Sequence, residues 1–227
     1  MSSDIHSGQP VLFAGAGIKN ADLAVILLHG RGATAESMLP FAEAIQVANT
    51  AFLIPQAALN RWYPQSAFAP LEANQPDLSS ALEVITGLVK QARENGLSDR
   101  QIVFGGFSQG ACLVSEYAAR NAGRYGGLFV LSGALIGPKG TPRDYPGSFE
   151  GMPVFIGGSD IDPWVSHDLM ENTASVFRKM GAEVDFRTYP GMAHIVNQDE
   201  IDCVRDLLVK IRPQLIDPPR KFPPEEG

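Results

Sequence analysis

One pentapeptide constrains this chain more than any other stretch: Gly106-Phe107-Ser108-Gln109-Gly110, which fits G-x-S-x-G. It directly follows a β-branched and aromatic run, Gln101–Gly105, and leads into a helix-forming stretch, Ala111–Ala119. A serine on so sharp a strand-to-helix turn sits in strained backbone with its hydroxyl in the open. Side chains at Gly106 and Gly110 would keep strand and helix from closing over the turn. Short glycine–serine strings also occur by chance, so it is the strand before and the helix after that give this one its weight.

The rest of the chain supplies a matching frame. Short apolar runs alternate with longer amphipathic ones, which predicts an α/β architecture. Strands are predicted over Leu23–Leu28, Ala51–Ile54, Ile102–Gly106, Leu128–Leu131, Val154–Ile156 and Val184–Tyr189, with a weaker one near Val11–Phe13 suited to an edge. Several are almost purely apolar, as central parallel strands covered on both faces require. Helices are predicted over Leu78–Asn95, Pro163–Met180 and Gln198–Ile211. Gly96 and Gly181 sit where left-handed C-caps belong, and Pro213 stops the last helix. One long stretch, Pro55–Gln75, lacks periodicity, and long loops in compact domains are often functional. No repeat or linker divides the chain, so residues 1–216 read as one domain, followed by a proline-rich, charged tail over 217–227 expected to fray.

Composition narrows the function classes. With 227 residues the chain can bury a sizeable core in one domain, and 44% hydrophobic with 19% charged residues is ordinary for a globular protein. A net charge of -7 argues against nucleic-acid binding and gives no attraction to anionic membranes. Cys112 and Cys203 are too few for a disulfide framework or a cysteine-rich metal site, and both suit small buried hydrophobes. No metal or other cofactor is called for. No basic-then-apolar leader and no run long enough to span a bilayer is present, which makes the cytoplasm the default location.

A serine hydroxyl is a weak nucleophile; it needs a general base, and the base needs an orienting carboxylate. On a serine turn of this kind the partners follow in the chain order Ser, Asp or Glu, His. His6 and His29 precede Ser108, and His167 falls inside a predicted helix. His194 comes after a late strand, in the glycine-containing loop Tyr189–His194 before the last helix, and is the candidate base. The acid belongs on a loop after a strand between the two, where Ser159-Asp160-Ile161-Asp162-Pro163 stands. Either aspartate could serve, and one of them could also cap the next helix, with Pro163 in its first turn, since the imidazole needs only one carboxylate oxygen. Asp162 is favoured as the acid and Asp160 as a loop-shaping residue. Acyl transfer also needs donors for the developing oxyanion. The Gln109 N–H at the helix start is one, and the Arg31 N–H in His29-Gly30-Arg31-Gly32, just after Val25–Leu28, is the other. His29 is read as ordering that loop rather than moving protons.

Together these residues resemble the phospholipase/carboxylesterase family of α/β-hydrolases, which includes acyl-protein thioesterases and lysophospholipases. The resemblance runs from His29-Gly30-Arg31-Gly32 through Arg61-Trp62-Tyr63, Gly105–Gly110 and Asp160–Pro163 to Tyr189–His194. It implies an α/β-hydrolase fold, with a mostly parallel sheet, helices on both faces and no large cap. It also implies a Ser108, Asp162, His194 triad, with an oxyanion hole from Arg31 and Gln109, and a cofactor-free serine esterase acting on small-molecule esters, thioesters or lysophospholipids. Family members usually carry an apolar residue where Arg31 stands and an acidic one at Ala33, and often a leucine and a proline at Trp164 and Ser166. These departures fall on the acyl pocket.

Trp62, Tyr63, Phe68 and Trp164 are the aromatic candidates for lining that pocket, against the alternative that they merely pin the long loop to the sheet. A bulky Trp164 would shorten an acyl channel and favour compact acyl groups. Exposed aromatics near Arg61–Phe68 would also permit a homodimer. Two other functions are weighed: a dedicated hydrolase for one aromatic or quinone-derived ester or lactone, and a non-catalytic ligand-binding protein on a hydrolase fold.

Overall fold

The computed structural model describes residues 4–212. The expected tail over 217–227 and the stop at Pro213 lie outside them. Seven strands form a single sheet: β1 (Val11–Gly15), β2 (Leu23–Leu28), β3 (Thr50–Pro55), β4 (Ile102–Phe107), β5 (Gly127–Leu131), β6 (Pro153–Ser159) and β7 (Glu183–Tyr189). Their spatial order is β1-β3-β2-β4-β5-β6-β7, with β1 antiparallel at one edge and the other pairs parallel. Among the described residues four α-helices lie between strands, α1 (Leu39–Ile45), α2 (Asp77–Glu94), α3 (Gln109–Arg120) and α4 (His167–Lys179), and a fifth, α5 (Gln198–Ile211), follows β7. No described helix is long and apolar enough to cross a membrane.

The apolar strands behave as strands covered on both faces. In β2, Ala24, Ile26 and Leu28 pack with residues of α2, α3 and α4, while Leu23, Val25 and Leu27 pack with residues of α1 and α5. All six are fully buried, and each large one is worth roughly 1.5–3 kcal/mol by leaving water. The chain winds from β2 to β3 in one direction and from β4 onward in the other. The carboxyl ends of β2 and β4 therefore meet at the switch point, where open α/β sheets bind ligands.

Three predicted boundaries move, each for a physical reason. Helix α1 was not anticipated: it is a single short segment whose Pro40 reads as a breaker but sits at the helix start, where proline is tolerated. Helix α4 begins at His167 instead of Pro163, because Asp162 Oδ1 accepts the Trp164 and Val165 N–H groups at 2.8 and 3.0 Å and turns the chain first. Strand β6 continues through Gly157 and Gly158, which in the sequence look like its end. Their missing side chains make room for Glu200 and Met170: a Cβ would lie 2.5 Å from Glu200 Oε1 at Gly157 and 2.4 Å from Met170 Sδ at Gly158.

Glu200 is fully buried in α5. Its Oε2 accepts the Asn197 N–H at 2.9 Å in a reciprocal cap with Asn197, while its Oε1 has no hydrogen-bond partner among the described residues. Burial pushes this carboxyl up to about 7 from an ordinary 4.5. The folded chain therefore holds a proton that the unfolded chain releases between those two values, so this group's contribution to stability falls as pH rises from 4.5 to 7. Glu200→Gln keeps the acceptor without the charge. We expect it to melt higher than the parent protein at pH 8, with a gain of at most on the order of 3 kcal/mol, and to show no advantage at pH 4.5. Parallel thermal melts at the two pH values check this; an equal effect at both would contradict it.

Candidate active site

Ser108 sits between β4 and α3 with φ 55° and ψ -118°, a left-handed conformation that costs a non-glycine residue about 1–3 kcal/mol. The turn holds because everything around it is tight. The Ser108 N–H donates to Leu131 O at 2.9 Å, and the Ser108 carbonyl accepts the Cys112 N–H at 3.0 Å. A Cβ on Gly106 would lie 2.7 Å from the Gly110 carbonyl carbon, and one on Gly110 would lie 2.5 Å from Leu28 O. Both glycines are therefore needed, as the motif predicts.

The structure brings Ser108, His194 and Asp162 into one hydrogen-bonded line. His194 Nε2 lies 2.8 Å from Ser108 Oγ, and His194 Nδ1 lies 2.5 Å from Asp162 Oδ2. They come from the carboxyl ends of β4, β7 and β6, whose register pairs Ser159 with Tyr189. Burial alone would raise the Asp162 pKa. The His194 hydrogen bond and the Trp164 and Val165 N–H groups outweigh it, holding the carboxyl below its ordinary value and therefore ionised. Asp160 takes the other part considered for this pair: its Oδ1 accepts the Gly191 N–H at 2.8 Å, tying the loop of the acid to the loop of His194. The Phe107 ring packs 4.8 Å from the imidazole between centroids. That contact had no sequence signal beyond its place beside Ser108.

Arg31 and Gln109 lie on either side of the serine. Gly30 presses against Ser108, since a Cβ there would lie 3.4 Å from Ser108 Cβ. Among the described residues the Arg31 and Gln109 N–H groups have no acceptor. Both residues line a cavity of about 550 Å³ that also contains Ser108 and His194. The other two described histidines before the serine are structural. His29 Nδ1 donates to Gly30 O at 2.8 Å and its Nε2 accepts the Ala57 N–H at 3.1 Å. His6 Nε2 donates to Trp62 O at 3.0 Å and its Nδ1 accepts the Ala58 N–H at 3.1 Å. These partners fix both rings as neutral, and burial lowers both pKa values. His167, at the start of α4, faces Thr188 Oγ1 at 2.9 Å.

The aromatic candidates separate. Tyr63, Phe68 and Trp164 line the cavity and Trp62 does not. Trp62 is fully buried beneath the loop, its Nε1 donating to His29 O at 2.9 Å, so it pins the loop rather than facing a ligand. Trp164 lines the cavity while remaining 71% exposed. Tyr63 is fully buried as well, so the exposed aromatic face expected near Arg61–Phe68 is absent. Buried Ala67, Cys112 and Val165 also belong to the lining. Burial pushes the Cys112 thiol up to about 11, so it stays protonated. Cys203 is only half-buried. No group of three or more histidine, cysteine or acidic side chains among the described residues is arranged to hold a metal ion.

A model of the family described as Phospholipase/Carboxylesterase matches residues 13–211. The chain belongs to that family. A crystal structure of a phospholipase/carboxylesterase from Dyadobacter fermentans superposes with a TM-score of 0.86 at 37% identity, covering 92% of this chain and 100% of that one. Acyl-protein thioesterase 1 of Saccharomyces cerevisiae is 28% identical over 217 residues, 86% of this chain and 95% of its own length. The Debaryomyces hansenii acyl-protein thioesterase 1 is 27% identical over 214 residues, 85% and 92% of the two chains. The protein is thus an α/β-hydrolase and an enzyme of the esterase and thioesterase kind.

Because Gly110 lies so close to Leu28, Gly110→Ala should destabilise this phospholipase/carboxylesterase by about 1–3 kcal/mol or more through overpacking. Denaturant unfolding checks it, and an unchanged midpoint would mean that α3 does not press on β2 as described.

Proposed function

We propose that this member of the phospholipase/carboxylesterase family hydrolyses carboxylic esters through an acyl-enzyme on Ser108. The observation that carries this reading is the line from Ser108 Oγ through His194 to Asp162, at 2.8 and 2.5 Å. As Ser108 Oγ attacks the carbonyl carbon, His194 Nε2 takes its proton. Asp162 holds the Nδ1 proton in place and stabilises the imidazolium without accepting the proton itself. Negative charge builds on the carbonyl oxygen, where the Arg31 and Gln109 N–H groups are free to donate and need not reorganise. The imidazolium then protonates the leaving alcohol or thiol, and the carbonyl re-forms as the acyl-enzyme. Water, deprotonated by His194, repeats the sequence and releases the acid.

The substrate enters through the cavity bounded by Tyr63, Phe68 and Trp164, with the oxyanion donors at its inner side. The alternative of a ligand-binding protein without catalysis is disfavoured by the hydrogen-bonded line from Ser108 through His194 to Asp162, which a pocket that only binds does not require.

Ser108→Ala should lower kcat by on the order of 10⁶, by comparison with other serine triads. Steady-state assays with a p-nitrophenyl ester measure it, and a loss under tenfold would remove Ser108 as the nucleophile. A fluorophosphonate should label the parent protein and leave Ser108→Ala unlabelled.

A further inference from the structure

Among the residues lining the cavity around Ser108, Arg31 alone carries a permanent charge. It stands where the motif resemblance leads one to expect an apolar side chain. Its guanidinium is exposed, and its hydrogen bonds go to main-chain carbonyls: Nη1 to Pro64 O at 2.9 Å, Nη2 to Tyr63 O at 3.0 Å, and Nη2 to Gln65 O. No carboxylate among the described residues forms an ion pair with it.

That combination is informative. Carbonyl dipoles orient a guanidinium without neutralising it, so the full charge remains available to a ligand. The three bonds use only part of the guanidinium donor set, and Nε–H is not among those used. The side chain is also already immobilised, so an anion that binds it need not be offset against the ordering of a long flexible arm. The same residue's main-chain N–H faces the developing oxyanion in the mechanism above. A group held by the guanidinium would lie at the lining of the cavity that also contains Ser108.

We propose that Arg31 forms an anion subsite, and that the preferred substrates are esters carrying a carboxylate on the acyl or the alcohol part. The inference rests on the esterase reading and specifies its substrate class. With a net charge of -7 the protein repels such esters at long range. Any preference for them must then arise from a cation at short range.

The test compares matched esters by proton release at constant pH 7.5. Monoethyl glutarate against ethyl valerate places the carboxylate on the acyl side. The acetate ester of 4-hydroxybenzoate against phenyl acetate places it on the alcohol side. For each pair the ratio of kcat/KM, charged over neutral, is measured in the parent protein, in Arg31→Met and in Arg31→Lys. Loss of the carbonyl clamp in either variant slows both members of a pair, so the ratio isolates the charge. The ratio should fall about tenfold in Arg31→Met for one of the two pairs, as expected for one partly exposed charge-assisted contact. Arg31→Lys, which keeps the charge without the fork, should fall between. Turnover of the neutral esters with a ratio unchanged by Arg31→Met in both pairs overturns the anion subsite and leaves the esterase intact. No turnover of any of the four esters by the parent protein overturns the esterase reading, and the subsite with it.

Discussion

The contact on which this site depends is the approach of the first turn of α3 to the end of β2. A single methyl group on Gly110 would fall 2.5 Å from Leu28 O and 2.6 Å from His29 O. With no side chain there, the helix closes on the sheet and two different loops converge. The serine leaves the end of β4 in a conformation it would not adopt alone, and the His29–Gly32 turn leaves β2 directly beside it. Parallel strands place both turns on the same edge of the sheet, and the switch in winding direction between β2 and β4 leaves a crevice above them. The helix start and the oxyanion loop are thus neighbours because of sheet topology, and they touch because of one glycine.

The wall opposite is made differently. Residues between β3 and α2 pair with no strand, yet they are held by polar side chains, two from outside the segment and one from its own end. Gln109 accepts the Trp62 N–H at 2.9 Å and donates to Tyr63 O at 2.8 Å. Asn74, fully buried, accepts the Gln65 N–H and donates to Ser66 O, both at 2.8 Å. Arg31 approaches the same Tyr63 carbonyl. A loop whose buried backbone groups are satisfied in this way can be as fixed as a strand. Gln109 therefore has two separable parts: its main-chain N–H has no acceptor among the described residues and is left for the proposed oxyanion, and its side chain fastens the wall of the pocket.

Much of this was legible in the sequence because it is written in local chemistry. The apolar run Leu23–Leu28 is a strand with the same bounds in both views, since six consecutive apolar residues leave little else to become. The order Ser108, Asp162, His194 was legible because each stands after a strand, and parallel strands bring their carboxyl ends together. Other features depend on partners distant in the chain and left no local trace. Gly157 and Gly158 look like the end of β6 until Glu200 and Met170 are seen filling the space beside them. Trp62 looks like a ligand contact until its indole N–H is seen donating to His29 O beneath the loop. Helix α1 is too short to show a period, and its proline reads equally as a start or a break.

Asp162 shows why fold and chemistry resist separation here. Its two oxygens face different ways: Oδ1 takes the Trp164 and Val165 N–H groups, and Oδ2 meets His194. The first pair of bonds delays α4 to His167 and turns Trp164 outward at the cavity mouth. The same bonds help to keep the carboxylate ionised despite burial, and ionisation is what the imidazole requires of it. The local turn and the catalytic electrostatics are one arrangement of hydrogen bonds. Capping the turn and orienting the imidazole are compatible, as the sequence leads one to expect, because the carboxylate has an oxygen for each. Arg31 lies outside that line: its side chain fastens the pocket wall at Tyr63, Pro64 and Gln65, so a change there would reach the wall without touching the hydrogen bonds between Ser108 and Asp162.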